Sequence, residues 1–255
     1  MSQIYDQPKY YEIAFDFRDL NAEVDLMEEC MSRYSEPPSE SVLELACGNC
    51  PHAIELVKRG YGYTGIDNNE QMLNFSRSKA RSAGVELSLV NADLVDFSLV
   101  GKFDFVYILV GSLFVRDDRE LVSHFDSVAR CLRRGGLYLL DWCIEFEPPG
   151  QGSEVTSWEM KRGDIAVTTA VRWKAVNLAA QTFEERISFD ICDNGRKLYF
   201  EDSSTRRALY PQEFLMFIKA RPDFEFIGWW NLWDLTQPLE KASKVDRPVV
   251  LIRRI

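Results

Sequence analysis

The 255-residue sequence has only two histidines, and among its six cysteines a single pair, Cys47 and Cys50, is spaced C-x-x-C. A structural zinc needs four Cys or His ligands, so no metal site is expected. The haem attachment pattern C-x-x-C-H is missing too, because Pro51 separates Cys50 from His52. No apolar run approaches the roughly 20 residues that a membrane helix requires. The start, MSQIYDQPKYYEIAF, has neither a basic segment followed by an apolar one nor an Arg-rich amphipathic pattern. The expectation is a cytoplasmic protein without a membrane partner, its cysteines reduced thiols. Positive charge is scarce, with 30 Lys and Arg against 40 Asp and Glu. Gripping nucleic acid takes clustered cations that displace phosphate counterions. Arg130/Arg133/Arg134 and Arg206/Arg207 are too short for that and read as helix-end and sheet-face charges. A small molecule is therefore the expected partner. Lacking any Pro/Gly/Ser tract long enough to act as a linker, the chain reads as one α/β domain with an insertion.

What is present is a change of period along the chain. SVLEL is a short strand ending in a loop with Gly48, and PHAIELVKRG reads as a helix opened by Pro51 and closed by Gly60. YGYTGID supplies a second strand ending in Asp67, NEQMLNFSRSKARSAG a second helix, and VELSLVNADL a third strand running into Asp93. KFDFVYILVGS is a fourth, apolar enough to be buried on both faces. In DDRELVSHFDSVARCLRRGG, Leu121, Val122, Phe125, Val128 and Leu132 fall at helical spacing, with arginine in the last turn and Gly135 behind it. LYLLDWCI is the fifth strand. This alternation predicts a doubly wound, Rossmann-like sheet.

After Gly150 the period becomes two. Ile165, Val167, Thr169, Val171 and Trp173 alternate with smaller or more polar residues, as do Phe183, Glu185, Ile187, Phe189 and Ile191, and Gly163 and Gly195 mark turns. About four antiparallel strands are predicted over roughly Glu154 to Arg207, forming a lid inserted into an α/β sheet of about seven strands. PQEFLMFIKA then returns to helix, and FEFIGWW and RPVVLIRRI close the sheet. Residues 1–40 are expected to be an N-terminal helical cap, with a helix near Glu23 to Tyr34. Residues 41–150 and 208–255 form the Rossmann-like domain, and 151–207 the insertion.

In an open parallel sheet the ligand crevice lies at the carboxyl ends of the strands, which places the loop ACGNC in the site. A dinucleotide fingerprint would need glycines at 46, 48 and 51, where the chain has Ala46, Gly48 and Pro51. Pro51 has no N–H to offer a pyrophosphate, and no P-loop Gly-Lys-Ser/Thr follows. A cofactor with ribose and adenine but no phosphate is indicated. Asp67 ends the second strand 19 residues after Gly48, close to the spacing at which an acid accepts hydrogen bonds from ribose hydroxyls. Asp93, at the next strand end, can accept from the exocyclic amine of adenine.

VLELACGNC, YTGIDNNEQML, VNADLVDF, FDFVYILVGSLF and LRRGGLYLLDW, in this order, resemble the motifs of the class I S-adenosylmethionine-dependent methyltransferases. The resemblance covers Ser41 to Trp142. The family usually has glycine at the positions of Ala46 and Cys50, so a tighter loop is expected. S-adenosylmethionine is the implied cofactor. By position, the resemblance implies Glu44, Ala46, Cys47 and Gly48 beside its methionine part and Asp67 on its ribose. It further implies Asn68 and Met72 near the adenine, Ala92, Asp93 and Leu94 around the adenine edge, and Leu109, Val110 and Gly111 under the sulfonium. The inserted sheet is similar in placement to that of small-molecule enzymes such as the glycine and amino-sugar N-methyltransferases, which implies a roof over the crevice. YDQPKYYEIAF resembles their tyrosine-rich segment that closes over the cofactor, making Tyr5, Tyr10 and Tyr11 candidates to shield or orient the donor.

Methyl transfer from a sulfonium is an in-line displacement with a good leaving group, so alignment and desolvation can supply much of the rate. No catalytic residue is singled out, and His52 and His124 read as structural. Trp158, Trp173, Trp229, Trp230 and Trp233 suit either a pocket wall or core packing. An acidic chain tolerates a cationic amine well. N-methylation of a small molecule is the expected activity. O-methylation of a small hydroxylated or acidic compound is the alternative, as is a non-catalytic module that binds the cofactor or forms a homodimer through the insertion. A thioredoxin-like dithiol at Cys47 and Cys50, activated by a helix start, is the competing reading of the C-x-x-C.

Overall fold

The computed structural model describes residues 3–36, 38–147 and 155–255. In chain order the first five strands are β1 (Ser41–Leu45), β2 (Gly62–Asp67), β3 (Ser88–Asn91), β4 (Phe103–Ile108) and β5 (Leu132–Asp141). The insertion contributes β6 (Val155–Arg162), β7 (Ile165–Asn177), β8 (Thr182–Asp193) and β9 (Arg196–Arg207), and the chain closes with β10 (Phe224–Trp230) and β11 (Val249–Arg254). The helices are α1 (Pro8–Ala14), α2 (Leu20–Tyr34), α3 (Ala53–Lys58), α4 (Glu70–Ser82), α5 (Asp118–Cys131) and α6 (Pro211–Ala220). None of those described is long and apolar enough to cross a membrane.

The main sheet has seven strands in the order β10-β11-β5-β4-β1-β2-β3, with β1 to β5 parallel and β11 antiparallel to both its neighbours. Strand order reverses between β1 and β4, and the crevice outside the carboxyl ends of these two strands is the place where such a sheet receives a ligand. Every residue of β4 is buried, as a central strand covered on both faces requires. One face packs Leu43, Ile66, Val106 and Tyr138 against Phe125 of α5 and Phe214 of α6, and the other packs Phe105, Tyr107 and Leu251 against Val24, Met27 and Cys30 of α2. Side-chain caps start α2, α4 and α5, Asp19 accepting from Ala22 N, Asn69 from Met72 N, and Asp117 from Arg119 N and Glu120 N.

The insertion is a separate antiparallel sheet in the order β6-β7-β8-β9. Its buried residues Val167, Ile187, Phe189 and Ile191 pack against Ile4, Ile13 and Ala14, a third core between the insertion and the N-terminal segment. The connection through residues 148–154, including the expected boundaries at 150 and 154, lies outside the described residues.

Three details differ from the sequence reading. The first forty residues are not one cap, because α1 packs on β6 and β7 of the insertion while α2 packs on α3 and the main sheet. Strand β5 begins at Leu132, and its pairing with β4 jumps from Phe103↔Leu132 to Phe105↔Leu137. Gly135 (φ 79°) and Gly136, where a Cβ would stand 2.7 Å from the Asp104 carbonyl, allow that bulge, so Leu132, Arg133 and Arg134 are strand residues, not the helix end. Strand β3 is an edge strand of four residues and stops at Asn91, leaving Asp93 in the loop beyond.

Candidate functional site

The turn after β1 is built from left-handed residues, Ala46 (φ 50°), Gly48 (φ 49°) and Cys50 (φ 47°). Two of the three carry side chains, which this conformation disfavours, so the loop must be held from outside. Cys47 N donates to Ile66 O (2.9 Å), Cys50 N to Cys47 O (2.8 Å), and Gly48 N to Asp67 Oδ2 (2.8 Å). The Cys47 side chain fits beneath the loop because β2 offers Gly65 there, where a Cβ would lie 2.8 Å from Cys47 Sγ. Both cysteines are buried thiols, and burial pushes the Cys47 thiol well above its ordinary pKa. A nucleophilic dithiol needs the opposite shift, which speaks against the redox reading.

Three cavities lined by described residues meet at this end of the sheet. The first, about 350 Å3, is lined by Arg18, Glu44, Cys47, Asn49, Leu109 and Val110 among others. The second, about 470 Å3, is lined by Asp67, Asn68, Asn69, Ala92, Asp93 and Leu94. Ala46 and Gly48 line both. The third, about 290 Å3, lies under the insertion between Phe114, Trp142, Trp158, Trp173, Glu145, Glu185 and Arg206. Tyr11 and Ser112 line all three.

In the second cavity Asp67 also receives Asn69 N on Oδ1 (2.8 Å). Burial raises its carboxyl pKa, against the pull of the N–H groups of Asn69, Gly48 and Asn68. Asp93 braces its own loop, Oδ1 accepting from Val95 N (2.8 Å). The Leu94 carbonyl accepts from His124 Nδ1 (2.7 Å), so Nδ1 carries the proton and Nε2 accepts from the Tyr138 hydroxyl (2.8 Å). Burial pushes His124 down to about 4, keeping it neutral in this role.

The first cavity has the sharpest electrostatics. Glu44 is buried, with the hydroxyls of Tyr63 (2.5 Å) and Tyr107 (3.0 Å) both donating to Oε2. Desolvation outweighs those bonds and pushes its carboxyl up to about 7. Its Oε1 faces His52 Nδ1 at 4.0 Å, and that buried nitrogen has no hydrogen-bond partner among the described residues. Arg18 pairs with Glu23 through Nε (3.0 Å) and Nη2, and no described residue accepts from its Nη1. Glu23 is buried, yet hydrogen bonds from His52 (2.7 Å) and Arg18 and the charge of Arg247 hold its carboxyl well below the usual range. The loop after β4 turns through Val110 (φ 54°) and Gly111 (φ 65°). Val110 N bonds to Asp141 Oδ2 (2.9 Å), and Asp141 is itself clamped by Arg247 (2.9 and 2.8 Å) and Trp233 Nε1 (2.8 Å).

Most of the expected positions surround the first two cavities: Tyr11, Glu44, Ala46, Cys47, Gly48, Asp67, Asn68, Ala92, Asp93, Leu94, Leu109 and Val110. Gly111 lines the third. Met72 lines none; it is buried in the first turn of α4, and Asn69, the cap of that helix, stands at the wall instead. Tyr10 turns away to the insertion, its hydroxyl donating to Asp193 (2.8 Å) and its ring stacking on Phe200, whereas Tyr5 and Tyr11 face inward. Of the five tryptophans singled out, Trp158 and Trp173 wall the third cavity. Trp229 donates to Glu240, Trp230 packs on Tyr34, and Trp233 holds Asp141. Arg18, Ser112, Asp141 and Trp142 were not singled out in the sequence, and Arg206 read only as a sheet-face charge. Asp141 ends β5 as Asp67 ends β2, and the same strand-end rule finds it.

The family described as "Methyltransferase domain" matches residues 42–136, the stretch that carries the loops of the first two cavities. These residues are similar to a methyltransferase domain. Among sequence relatives of this domain, the protein YqeM of Bacillus subtilis is 34% identical over 108 residues, 42% of this chain and 44% of that protein. The dTDP-3-amino-3,4,6-trideoxy-alpha-D-glucopyranose N,N-dimethyltransferase of Streptomyces venezuelae is 28% identical over 110 residues, 43% of this chain and 45% of that protein. The chain thus spans less than half the length of these relatives. Solved structures match over nearly the whole chain. An S-adenosylmethionine-dependent methyltransferase from Clostridium acetobutylicum has a TM-score of 0.78 at 17% identity, covering 96% of this chain and 95% of that one. A sugar N-methyltransferase from Streptoalloteichus has 0.71 at 20% identity, covering 100% and 94%. At such identities the likeness shows the fold alone, the Rossmann-like fold shared with these enzymes.

Proposed function

We propose that the protein transfers the methyl group of S-adenosylmethionine to a nitrogen of a small molecule held under the insertion. The observation that carries this reading is the meeting of three cavities at Tyr11 and Ser112. The donor is an amino acid joined to a nucleoside through a sulfonium, and two of the cavities offer complementary groups for its two ends. In the first, Glu44 Oε1 suits the ammonium and Arg18 Nη1 the carboxylate, neither hydrogen-bonded to any described residue. In the second, each Asp67 oxygen keeps a lone pair for a ribose hydroxyl after accepting one backbone N–H. Asn68, Asp93 and Leu94 are placed for the adenine.

When bound, the sulfonium supplies an electrophilic methyl group with a neutral thioether as leaving group. The chain's part is to align and to exclude water. Tyr11 stands at the junction, and burial raises its phenol pKa, so it remains an uncharged hydroxyl there. Support for nitrogen as acceptor comes from the structural neighbours named as a sugar N-methyltransferase and an amino pentose methyltransferase. The aromatic, acidic wall of the third cavity agrees with it.

Isothermal titration of the reduced protein with S-adenosylmethionine and with its demethylated product, beside NAD as control, tests the reading. Saturable one-to-one binding of the first two is expected. Asp67→Ala should weaken it ten- to a hundredfold, since the ribose loses charge-assisted bonds of roughly 1.5–3 kcal/mol. Absence of binding by either compound overturns the proposal.

A further inference from the structure

Building on the methyl-transfer reading, we propose that Glu185 is the residue that selects the acceptor: it holds the ammonium of a cationic amine and takes the proton that must leave nitrogen before methylation.

Among the described residues, Arg206 is the only cation on the wall of the third cavity. Its Nη1 donates to Gly111 O (2.6 Å) and its Nη2 to Glu145 Oε1 (3.1 Å). The guanidinium lies 4.3 Å from the Trp173 ring centroid and 5.3 Å from that of Phe114, and its side chain is only 9% exposed. A guanidinium so engaged is a positioning residue, and an acceptor bearing a carboxylate or phosphate finds no unengaged cation here. Glu145 is bound to Arg206 and so is engaged as well. Glu185, on β8, is different: its nearest partner is Arg206 Nη2 at 3.6 Å, beyond hydrogen-bond range. No described residue donates a hydrogen bond to it, although it lines the cavity. Two carboxylates against one guanidinium leave one negative charge in a largely desolvated space, and burial raises the pKa of both glutamates, the sign of a charge that lacks compensation. The rings of Trp142, Trp158 and Trp173 around it favour a cation further.

The acceptor enters as an ammonium, and one N–H proton passes to the Glu185 carboxylate, which frees the nitrogen lone pair. The new N–C bond forms as the sulfonium C–S bond breaks, its electron pair staying on sulfur as the thioether. The product leaves as a methylammonium, and Glu185 returns its proton to solvent. The charged or titratable groups facing Glu185 are Arg206 on β9, Glu145 beyond β5, and Tyr5 and Tyr11 of the N-terminal segment.

The test uses cyclohexylamine, cyclohexanol and cyclohexanecarboxylate, three probes of one shape, titrated at pH 7.5 into protein saturated with S-adenosylhomocysteine. The wild type should bind the amine at least tenfold more tightly than either other probe. Glu185→Gln should lose that preference while keeping its affinity for S-adenosylhomocysteine and its melting temperature, and Glu185→Asp should recover most of it. Equal or absent binding of the amine, or a preference that survives Glu185→Gln, overturns the assignment to Glu185 and leaves the donor site standing. Failure of the wild type to bind S-adenosylhomocysteine overturns both readings.

Discussion

Glu44 illustrates how one residue carries opposite consequences for stability and for binding. Its carboxyl is pushed from 4.5 up to about 7 in the fold. Between those values the folded state holds a proton that the unfolded state has lost, so stability is greatest below the lower value and falls as pH rises through the window. The fall is on the order of 3 kcal/mol, taking about 1.4 kcal/mol per pKa unit. Denaturant unfolding at pH 5 and pH 8 should show it as the difference between wild type and Glu44→Gln, because the opposite contribution of His124, held down to about 4, is common to both. Donor binding runs the other way, because an ammonium at Oε1 favours the ionised carboxylate: affinity should rise from pH 6 to 8 and be flat in Glu44→Gln. At this scale the strand-end acids were readable in advance, since the carboxyl end of a parallel strand projects its last side chain into the crevice wherever that strand packs. Arg18 and Arg206 were not. Arg18 lies between two helices, its partners Glu23 and His52 set only by the packing of α2 on α3, and Arg206 stands beside Arg207 like any pair of surface charges.

Among elements, α1 is the one whose attachment matters most. Glu12 bridges Lys79 of α4 (2.6 Å) and Arg162 of β6 (2.7 Å), Arg162 also reaches Asp16 (3.0 Å), and Trp158 Nε1 donates to Ala14 O (2.7 Å). The helix therefore ties the main domain to the insertion directly above the first cavity, whose wall includes Glu12, Lys79 and Arg162. Partly exposed ion pairs contribute about 0.2–1 kcal/mol each, too little to govern global stability but enough to govern local opening. Glu12→Ala should leave the melting temperature within about 2 °C of wild type and speed release of S-adenosylhomocysteine several-fold, measured by stopped-flow tryptophan fluorescence. A melting temperature unchanged together with an unchanged release rate would sink this role for the helix. Seven residues are too few for a helical period to show, which is why α1 was not foreseen, whereas β7 and β8 declared themselves through alternation over 165–173 and 183–191. The start of β5 was misplaced for a different reason: Gly135 and Gly136 read as a helix stop, but here they let a strand bulge past Asp104.

For the molecule as a whole, the consequential fact is that the insertion has its own core. Ile4, Ile13, Val167 and Phe189 form a cluster distinct from the two that flank the main sheet. A chain built this way can lose order in the lid while the main sheet stays folded, because cooperative units follow shared cores. Phe189 is fully buried at the centre of the lid cluster, within 6.4 Å of the Tyr11 ring centroid. Phe189→Ala leaves a cavity that costs about 3–5 kcal/mol where the surroundings do not collapse. That loss should fall on β6 to β9 and α1 alone, so hydrogen exchange should quicken there by tenfold or more and remain unchanged in β1, β4 and β5. Tyr11 would lose its backing, and with it the junction of the three cavities. Binding of S-adenosylmethionine should weaken only a few-fold, since Glu44, Asp67 and their loops rest on the main sheet, whereas methyl transfer to an amine should fall by far more. Uniform exchange across both sheets would mean instead that the lid and the main domain unfold as one unit, and the separation of donor binding from acceptor capture argued from the cores would not hold.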